Sequence, residues 1–353
     1  MSETQGLILT LAVLAGAIAS VFSLGLTLVV SRIAARLGVV DRPTAEGKKI
    51  HARPIPLLGG IAIYVSVTIV VLHLLSTTDM LTGGEITRMH YAGFLLGGLI
   101  LMIGGYLDDR FNLRAKHQIV APILASLTII AFGIEVEKLT NPLGGVIMLS
   151  PWQSDALVFV WLMTVMYTSK FLDGLDGLST GVSAIGAFMV MCLALTAAYF
   201  QPDVTILAAV CLGAMIGFLA FNFNPASVFL GEGGSTFVGF VIGTLAVISG
   251  GKLATALLVI AVPLMDVIWI IVRRFRTGGI SAIFKGDRKH LHHRLLDRGW
   301  SQRQIVIAYY LVATTFGLST LFLQSKQKVI ALAALVAFMV AVAIVLSRQE
   351  KRV

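Results

Sequence analysis

Long apolar runs separated by short polar loops recur along the whole chain. They lie at Leu7–Val30, Leu58–Leu75, Ala92–Leu107, Ile119–Ile134, Ala156–Leu172, Leu178–Phe200, Val204–Phe221, Phe237–Ser249, Leu253–Val272, Ile305–Leu323 and Val329–Leu346. Most are long enough for a helix to cross about 30 Å of hydrocarbon, and two are short for it. The pattern predicts an all-α fold: a polytopic helical integral membrane protein with about eleven transmembrane helices, residues 1–353 forming one membrane domain. The first run has no basic residue before it and exceeds a signal-peptide core, so it reads as a retained span. Composition excludes a soluble domain, because 57% of the 353 residues are hydrophobic, 13% are charged, and the mean hydropathy is +0.90.

Charge then orients the spans. When the loops are assigned alternately to two sides, all of the 27 Lys and Arg fall on one side except Arg88, Lys138, Lys252, Lys326 and Lys328. The positive-inside rule makes that side cytoplasmic, with the N-terminus out, the C-terminus in and an odd number of spans. The net charge of +9 therefore belongs to one membrane face, where it suits anionic lipid or an anionic substrate; no nucleic-acid partner is implied. Cys192 and Cys211 lie inside spans without metal-ligand spacing and read as packing residues. The small-residue pairs Gly93/Gly97, Gly213/Gly217 and Gly239/Gly243 suit close helix packing or a dimer face.

The chemistry sits in the cytoplasmic loops. Asp173 and Asp176 in KFLDGLDGL end an apolar run otherwise free of acids. A carboxylate there needs water, a cation or another acid as its partner. If the helix continued, their spacing would put both on one face, as a cation-assisted phosphate site requires; otherwise DGLDG is a turn that ends the helix. Asp108 and Asp109 oppose the dipole at a helix C-terminus. Either Arg110, Arg114 and Lys116 neutralise them, or one acts as a base that the other orients. The loop Asp41–Gly60, with three prolines and a GG pair, cannot be a regular helix. It offers Lys48, Lys49, His51 and Arg53 to lipid head groups or to a phosphate. In FNFNPASVFLGEGGSTF, Asn222, Asn224 and Glu232 are the polar members, and the glycines around Glu232 suggest a tight turn presenting either a metal ligand or an exposed acid. His290, His292 and His293 crowd among Arg288, Lys289 and Arg294. That cationic setting favours anion recognition over zinc, with histidines able to carry protons. Asp266 lies within a span and should face the bundle interior.

Taken in order, these motifs resemble the polyprenyl-phosphate N-acetylhexosamine-1-phosphate transferases, which begin bacterial O-antigen, teichoic acid and related cell-envelope glycans. The resemblance is carried by D-x-P and K-x-H-x-x-P-x-P with GG in Asp41–Gly60, DD at Asp108–Asp109, DGLDGL at Asp173–Leu178, FNFxPA and G-x-x-GS in Phe221–Ser235, P-x-x-D at Pro263–Asp266, RR at Arg273–Arg274 and DRxHLHHRLL at Asp287–Leu296. The HLHH form is similar to the amino-sugar branch rather than the phospho-muramoyl-pentapeptide branch, which is the alternative; an ion-coupled transporter is the rival from another class. Two departures stand out: Glu232 replaces an expected aspartate, and Tyr167 and Lys170 replace the usual asparagines.

The resemblance implies transfer of GlcNAc-1-phosphate from UDP-GlcNAc to undecaprenyl phosphate at the cytoplasmic face of the inner (plasma) membrane, with release of UMP. It implies magnesium, with manganese able to substitute, held by Asp176 and Glu232. Asp108 and Asp109 would handle the carrier phosphate. Asp173 would lie behind the metal ligands or act as a covalent nucleophile. Lys49, His51, Lys116, Lys170, Asn222, Arg288, His292 and His293 would hold the diphosphate and sugar, with His290 catalytic. A homodimer is compatible with this reading.

Overall fold

The structure is a computed structural model that describes residues 2–43, 53–141, 144–250, 253–283, 290–323 and 326–337, with the backbone alone for 273–283. Lys49, His51 and Arg288 lie outside the described residues. The chain is a helical bundle. In order come α1 (Glu3–Leu37), α2 (Gly59–Thr77), α3 (Arg88–Phe111), α4 (Ala115–Gln118), α5 (Val120–Ala131), α6 (Pro151–Leu172), α7 (Leu178–Leu195), α8 (Pro202–Asn222), α9 (Gly231–Ile248), α10 (Leu253–Ile283), α11 (Leu291–Leu296) and α12 (Gln302–Phe322). Residues 326–337 are helical as well. Among the described residues, nine helices are long and apolar enough to cross a membrane. The chain is thus a polytopic helical membrane protein.

Local sequence sets the ends of these helices. Gln5 closes a capping box on Ser2, and Gly38 stops α1 in the left-handed conformation at φ 71°. Thr87 and His90 form the equivalent box at the start of α3. The expected span Ile119–Ile134 is shorter in the structure: α5 stops at Ala131, and together with α4, which meets it at Ile119, it makes an apolar helical stretch of only Ala115–Ala131. The span expected from Phe237 begins six residues earlier, at Gly231, because its glycines lower hydropathy without preventing helix. Only the first part of the run expected over Val329–Leu346 is described. Besides a 3-10 turn at Ala197–Tyr199, the described residues depart from all-α in two short antiparallel pairs, β1 (Val40–Asp41) with β2 (Ile55–Pro56) and β3 (Lys138–Thr140) with β4 (Val146–Met148).

α9 is the innermost helix and touches α2, α3, α6, α7 and α10. Its Phe237 meets Tyr64 edge-on at 5.5 Å, and its Phe240 stacks on Phe94 at 5.7 Å. α1 is peripheral, turning Leu14, Ile18, Val21 and Phe22 outward and packing on α8. The three small-residue pairs are spent within the chain. Gly213 and Gly217 of α8 receive the backbone of α1 at Gly16 and Ser20, Gly93 and Gly97 face Phe132 and Phe240, and Gly239 and Gly243 face α6.

Candidate active site

The acids singled out in the sequence converge at one end of the bundle, where α3 and α6 finish and α7 and α9 start. Close helix contact brings them there. Gly105 of α3 lies against Gly233 of α9, with no room for a side chain between the two backbones. One turn beyond Gly105, Asp109 reaches the first turn of α9, where its Oδ1 and Oδ2 accept the Glu232 N–H at 3.1 and 3.2 Å. Gly231, at φ +74°, makes the bend, and a methyl group there would collide with the Asp109 carboxylate. Asp109 thus escapes the unfavourable end of its own helix by capping the positive end of another. None of the basic residues proposed as its partner fills that role: Arg110, for example, donates to the Leu37 carbonyl at 3.0 Å. Glu232 accordingly sits in the first turn of a helix rather than in an interhelical turn.

Asp108 points elsewhere. Its Oδ1 accepts the Leu113 N–H at 2.8 Å and Gln118 Nε2 at 3.1 Å, which ties off the end of α3. Gln118 Oε1 accepts from Lys170 Nζ at 3.1 Å, and the same ammonium pairs with Glu232 Oε1. Lys116 is exposed on α4 and does not line the site.

DGLDG does break the helix. α6 ends at Leu172 and α7 begins at Leu178, with Gly177 at φ +78°, so Asp173 and Asp176 lie in the intervening turn and not on one helical face. Both still line the same cavity, because Tyr310 of α12 donates to the Gly177 carbonyl at 2.5 Å and fixes the turn. Asp176 Oδ2 accepts Asn224 Nδ2 at 2.9 Å and the Ala226 N–H at 3.0 Å. Asn224 also donates to Gln302 at 3.1 Å, and its carbonyl accepts from Arg303 Nε at 3.0 Å. Asn222 is engaged at both ends of its amide, accepting from Thr180 Oγ1 at 2.9 Å and donating to the Val228 carbonyl at 3.0 Å.

The cavity measures about 720 Å³, and its lining includes Asp41, Asp109, Asp173, Asp176 and Glu232, with Arg53, Lys170 and His293 as the basic members. Among the described residues, acids outnumber bases there. Burial, with the charges of Glu232, Asp109 and Asp176 adding to it, pushes the Asp173 carboxyl up to about 8. Among the described residues, no group of three or more His, Cys, Asp or Glu side chains is already gathered closely enough to hold a metal ion.

The histidines stand beside the DGLDG turn. Asp266 does face inward: its Oδ2 meets His290 Nδ1 at 2.8 Å and its Oδ1 accepts the Leu291 N–H at 2.9 Å, anchoring α11. His290 stacks on His292 at 5.4 Å and on Phe171 at 5.9 Å. The His292 ring covers Gly174, where a Cβ would lie 2.5 Å from Nε2. Burial, followed by its His293 and His290 neighbours, holds the His292 imidazole well below its usual range, which favours the neutral ring. Sequence reasoning named Asp41 only as the acid of the D-x-P motif, without a role in the site, and missed Gln118 and Gln302. Asp41 carried a signal, standing before a Pro-rich loop; a glutamine on a four-residue helix carried none.

The sequence pattern described as glycosyl transferase family 4 matches residues 91–250, from the start of α3 through the end of α9. A Bacillus subtilis (strain 168) protein named probable undecaprenyl-phosphate N-acetylglucosaminyl 1-phosphate transferase is 29% identical over 85% of this chain and 81% of its own length. The decaprenyl-phosphate N-acetylglucosaminephosphotransferase of Mycobacterium leprae (strain TN) is 32% identical over 86% of this chain and 80% of its own. The undecaprenyl-phosphate alpha-N-acetylglucosaminyl 1-phosphate transferase of Escherichia coli (strain K12) is 29% identical over 80% and 76%. With the acid-lined end of the bundle falling largely inside the matched segment, and relatives aligned over most of both chains, this protein belongs to the polyprenyl-phosphate N-acetylhexosamine-1-phosphate transferases of glycosyl transferase family 4.

Proposed function

We propose that the chain transfers GlcNAc-1-phosphate from UDP-GlcNAc to undecaprenyl phosphate, releasing UMP and starting a cell-envelope glycan. The observation that carries this reading is one cavity, at one end of a membrane bundle, that joins Asp109, Asp173, Asp176 and Glu232 to Lys170 and His293. Such a place can receive a lipid phosphate from the bilayer and a nucleotide diphosphate from water. All the loops around it fall on the Lys- and Arg-rich side, which supports a cytoplasmic site in the inner membrane with the N-terminus outside. A transporter reading is weaker, since the acids collect at the helix ends rather than at mid-bundle.

The donor set suits a hard divalent cation: five carboxylates, those of Asp41, Asp109, Asp173, Asp176 and Glu232, line one cavity. Asp176 and Glu232 would hold magnesium, with manganese as a substitute. When bound, the ion would screen the diphosphate charge and polarise its oxygens. The rest falls to the chain. Asp109, fixed on the α9 N-terminus, orients the carrier phosphate and takes its last proton. Lys170 and His293 hold the diphosphate, together with Lys49, His51 and Arg288. His290, held by Asp266, orients the nucleotide side. The phosphate oxygen of the lipid attacks the β-phosphorus directly, and the bond to UMP breaks as the new anhydride forms. Positioning and charge screening thus account for most of the rate.

UMP release by the purified protein tests this. Release should need both undecaprenyl phosphate and magnesium, stop with chelator, and vanish in Asp109→Asn. Silence with UDP-GlcNAc but release with UDP-MurNAc-pentapeptide would move the chain to the other branch. UMP exchange into UDP-GlcNAc without lipid would replace direct attack by a covalent route through Asp173.

A further inference from the structure

A lysine ammonium already occupies the carboxylate assigned to the metal. Lys170 Nζ, on the last turn of α6, pairs with Glu232 Oε1 and donates to Gln118 Oε1 at 3.1 Å. The glutamine cannot turn away freely. Its Nε2 donates both to Asp108 Oδ1 at 3.1 Å and to the Leu113 carbonyl at 3.0 Å, which leaves Oε1 to face the lysine. A chain of four side chains, Asp108, Gln118, Lys170 and Glu232, therefore holds one positive charge at the cavity wall. Lys170 and Glu232 are largely buried, with 17% and 21% of their side chains exposed, so solvent does little to screen them. An ammonium and a divalent ion cannot share a carboxylate at low cost, because at close range, with little solvent between them, they repel each other.

We propose that Lys170 is a built-in competitor of the divalent cation. It neutralises Glu232 while the site is metal-free and must leave Glu232 for the metal to bind there. Gln118 is the positioning residue that returns it. Lys170 is then free to meet the substrate diphosphate only once the ion has displaced it, so metal loading and substrate grip are coupled through one side chain. This rests on the assignment of Glu232 as a metal ligand.

Manganese binding to the full chain in detergent, followed without substrates from the loss of the free-ion EPR signal, separates the two ideas. Lys170→Met should bind Mn2+ about tenfold or more tightly than the wild type, as expected from removing one nearby positive charge. Lys170→Arg, which keeps the charge, should bind like the wild type, and Glu232→Gln should weaken binding in either background. Lys170→Gln serves in place of Lys170→Met if the latter does not elute as a monodisperse species. Unchanged or weaker Mn2+ affinity in the neutral variants, with Glu232→Gln still impaired, overturns the competition and leaves the metal assignment standing. Affinity indifferent to Glu232→Gln, or no saturable binding in any variant, overturns both.

Discussion

The tight approach of Gly105 to Gly233 makes Gly105→Ala a sharp test of how the bundle builds the site. The new methyl group would overlap the Cα and N of Gly233, atoms that cannot rotate away. Restoring ordinary contact at about 3.5–4.0 Å requires α3 and α9 to part by more than about 1 Å. The Asp109–Glu232 hydrogen bond, one turn away at 3.1 Å, would then be stretched beyond useful range. Losing a hydrogen bond to a charged group costs about 1.5–3 kcal/mol. At about 1.4 kcal/mol per tenfold, that is roughly 10–150-fold in rate, close to the about 10²-fold expected for a 1 Å misplacement. The assay is kcat/KM for UMP release, on protein checked for monodispersity. Gly233→Ala is the milder partner, since its methyl would lie 2.9 Å from the Leu101 carbonyl oxygen and 3.3 Å from Gly105 Cα, and it should lose less. Gly25→Ala on α1, with nothing within 4 Å of the new methyl, should leave activity unchanged. A well-folded Gly105→Ala protein with activity within about twofold of wild type would refute the argument that this contact sets the carboxylate geometry.

Three further outcomes follow from the same geometry. In chelator, wild-type stability should decline as pH rises from about 4 towards the Asp173 value near 8 and then level off, because the folded state holds a proton that the unfolded chain has released. Asp173→Asn should flatten that decline in thermal melts, and an equally steep curve would assign it elsewhere. Asn224→Ala removes the amide that donates to Asp176 Oδ2 and should lower kcat by about tenfold; a rise in KM with kcat intact would mean that Asn224 grips substrate instead. Gly174→Ala drives a methyl into the His292 ring, so KM for the nucleotide sugar should rise well before the melting temperature falls, whereas a matched loss of both would mark plain destabilisation.

Hydropathy alone located most of the helices, and charge alone gathered the correct loops, because lipid imposes both rules on a whole segment at once. Where single contacts decide, the sequence was silent or misleading. DGLDG left turn and helix both open, and the turn is settled by Tyr310, more than a hundred residues away. The GEGGS stretch suggests a loop by composition but is helical, since Gly233 and Gly234 are needed for the approach of Gly105 and Gly60. The basic residues beside Asp109 looked like its partners by proximity in sequence, yet a backbone N–H from α9 fills that role. Lys170 and Glu232 appeared as two separate departures from a family pattern. That they answer each other is visible only when α6 and α9 are side by side.

The packing of α1 on α8 has a consequence for how the protein is made. Gln5, at the start of α1, donates to the carbonyl of Leu195, 190 positions later, and the α8 surface that receives Gly16 and Ser20 follows later still. At a synthesis rate of about 5–20 residues per second, α1 waits in the bilayer for roughly 10–40 s before its docking surface exists. Its backbone notch at Gly16 is open to other helices throughout that interval. α2, made soon after α1, gives it an early neighbour, but the larger contact, with α8, can close only once some 190 further residues have been made.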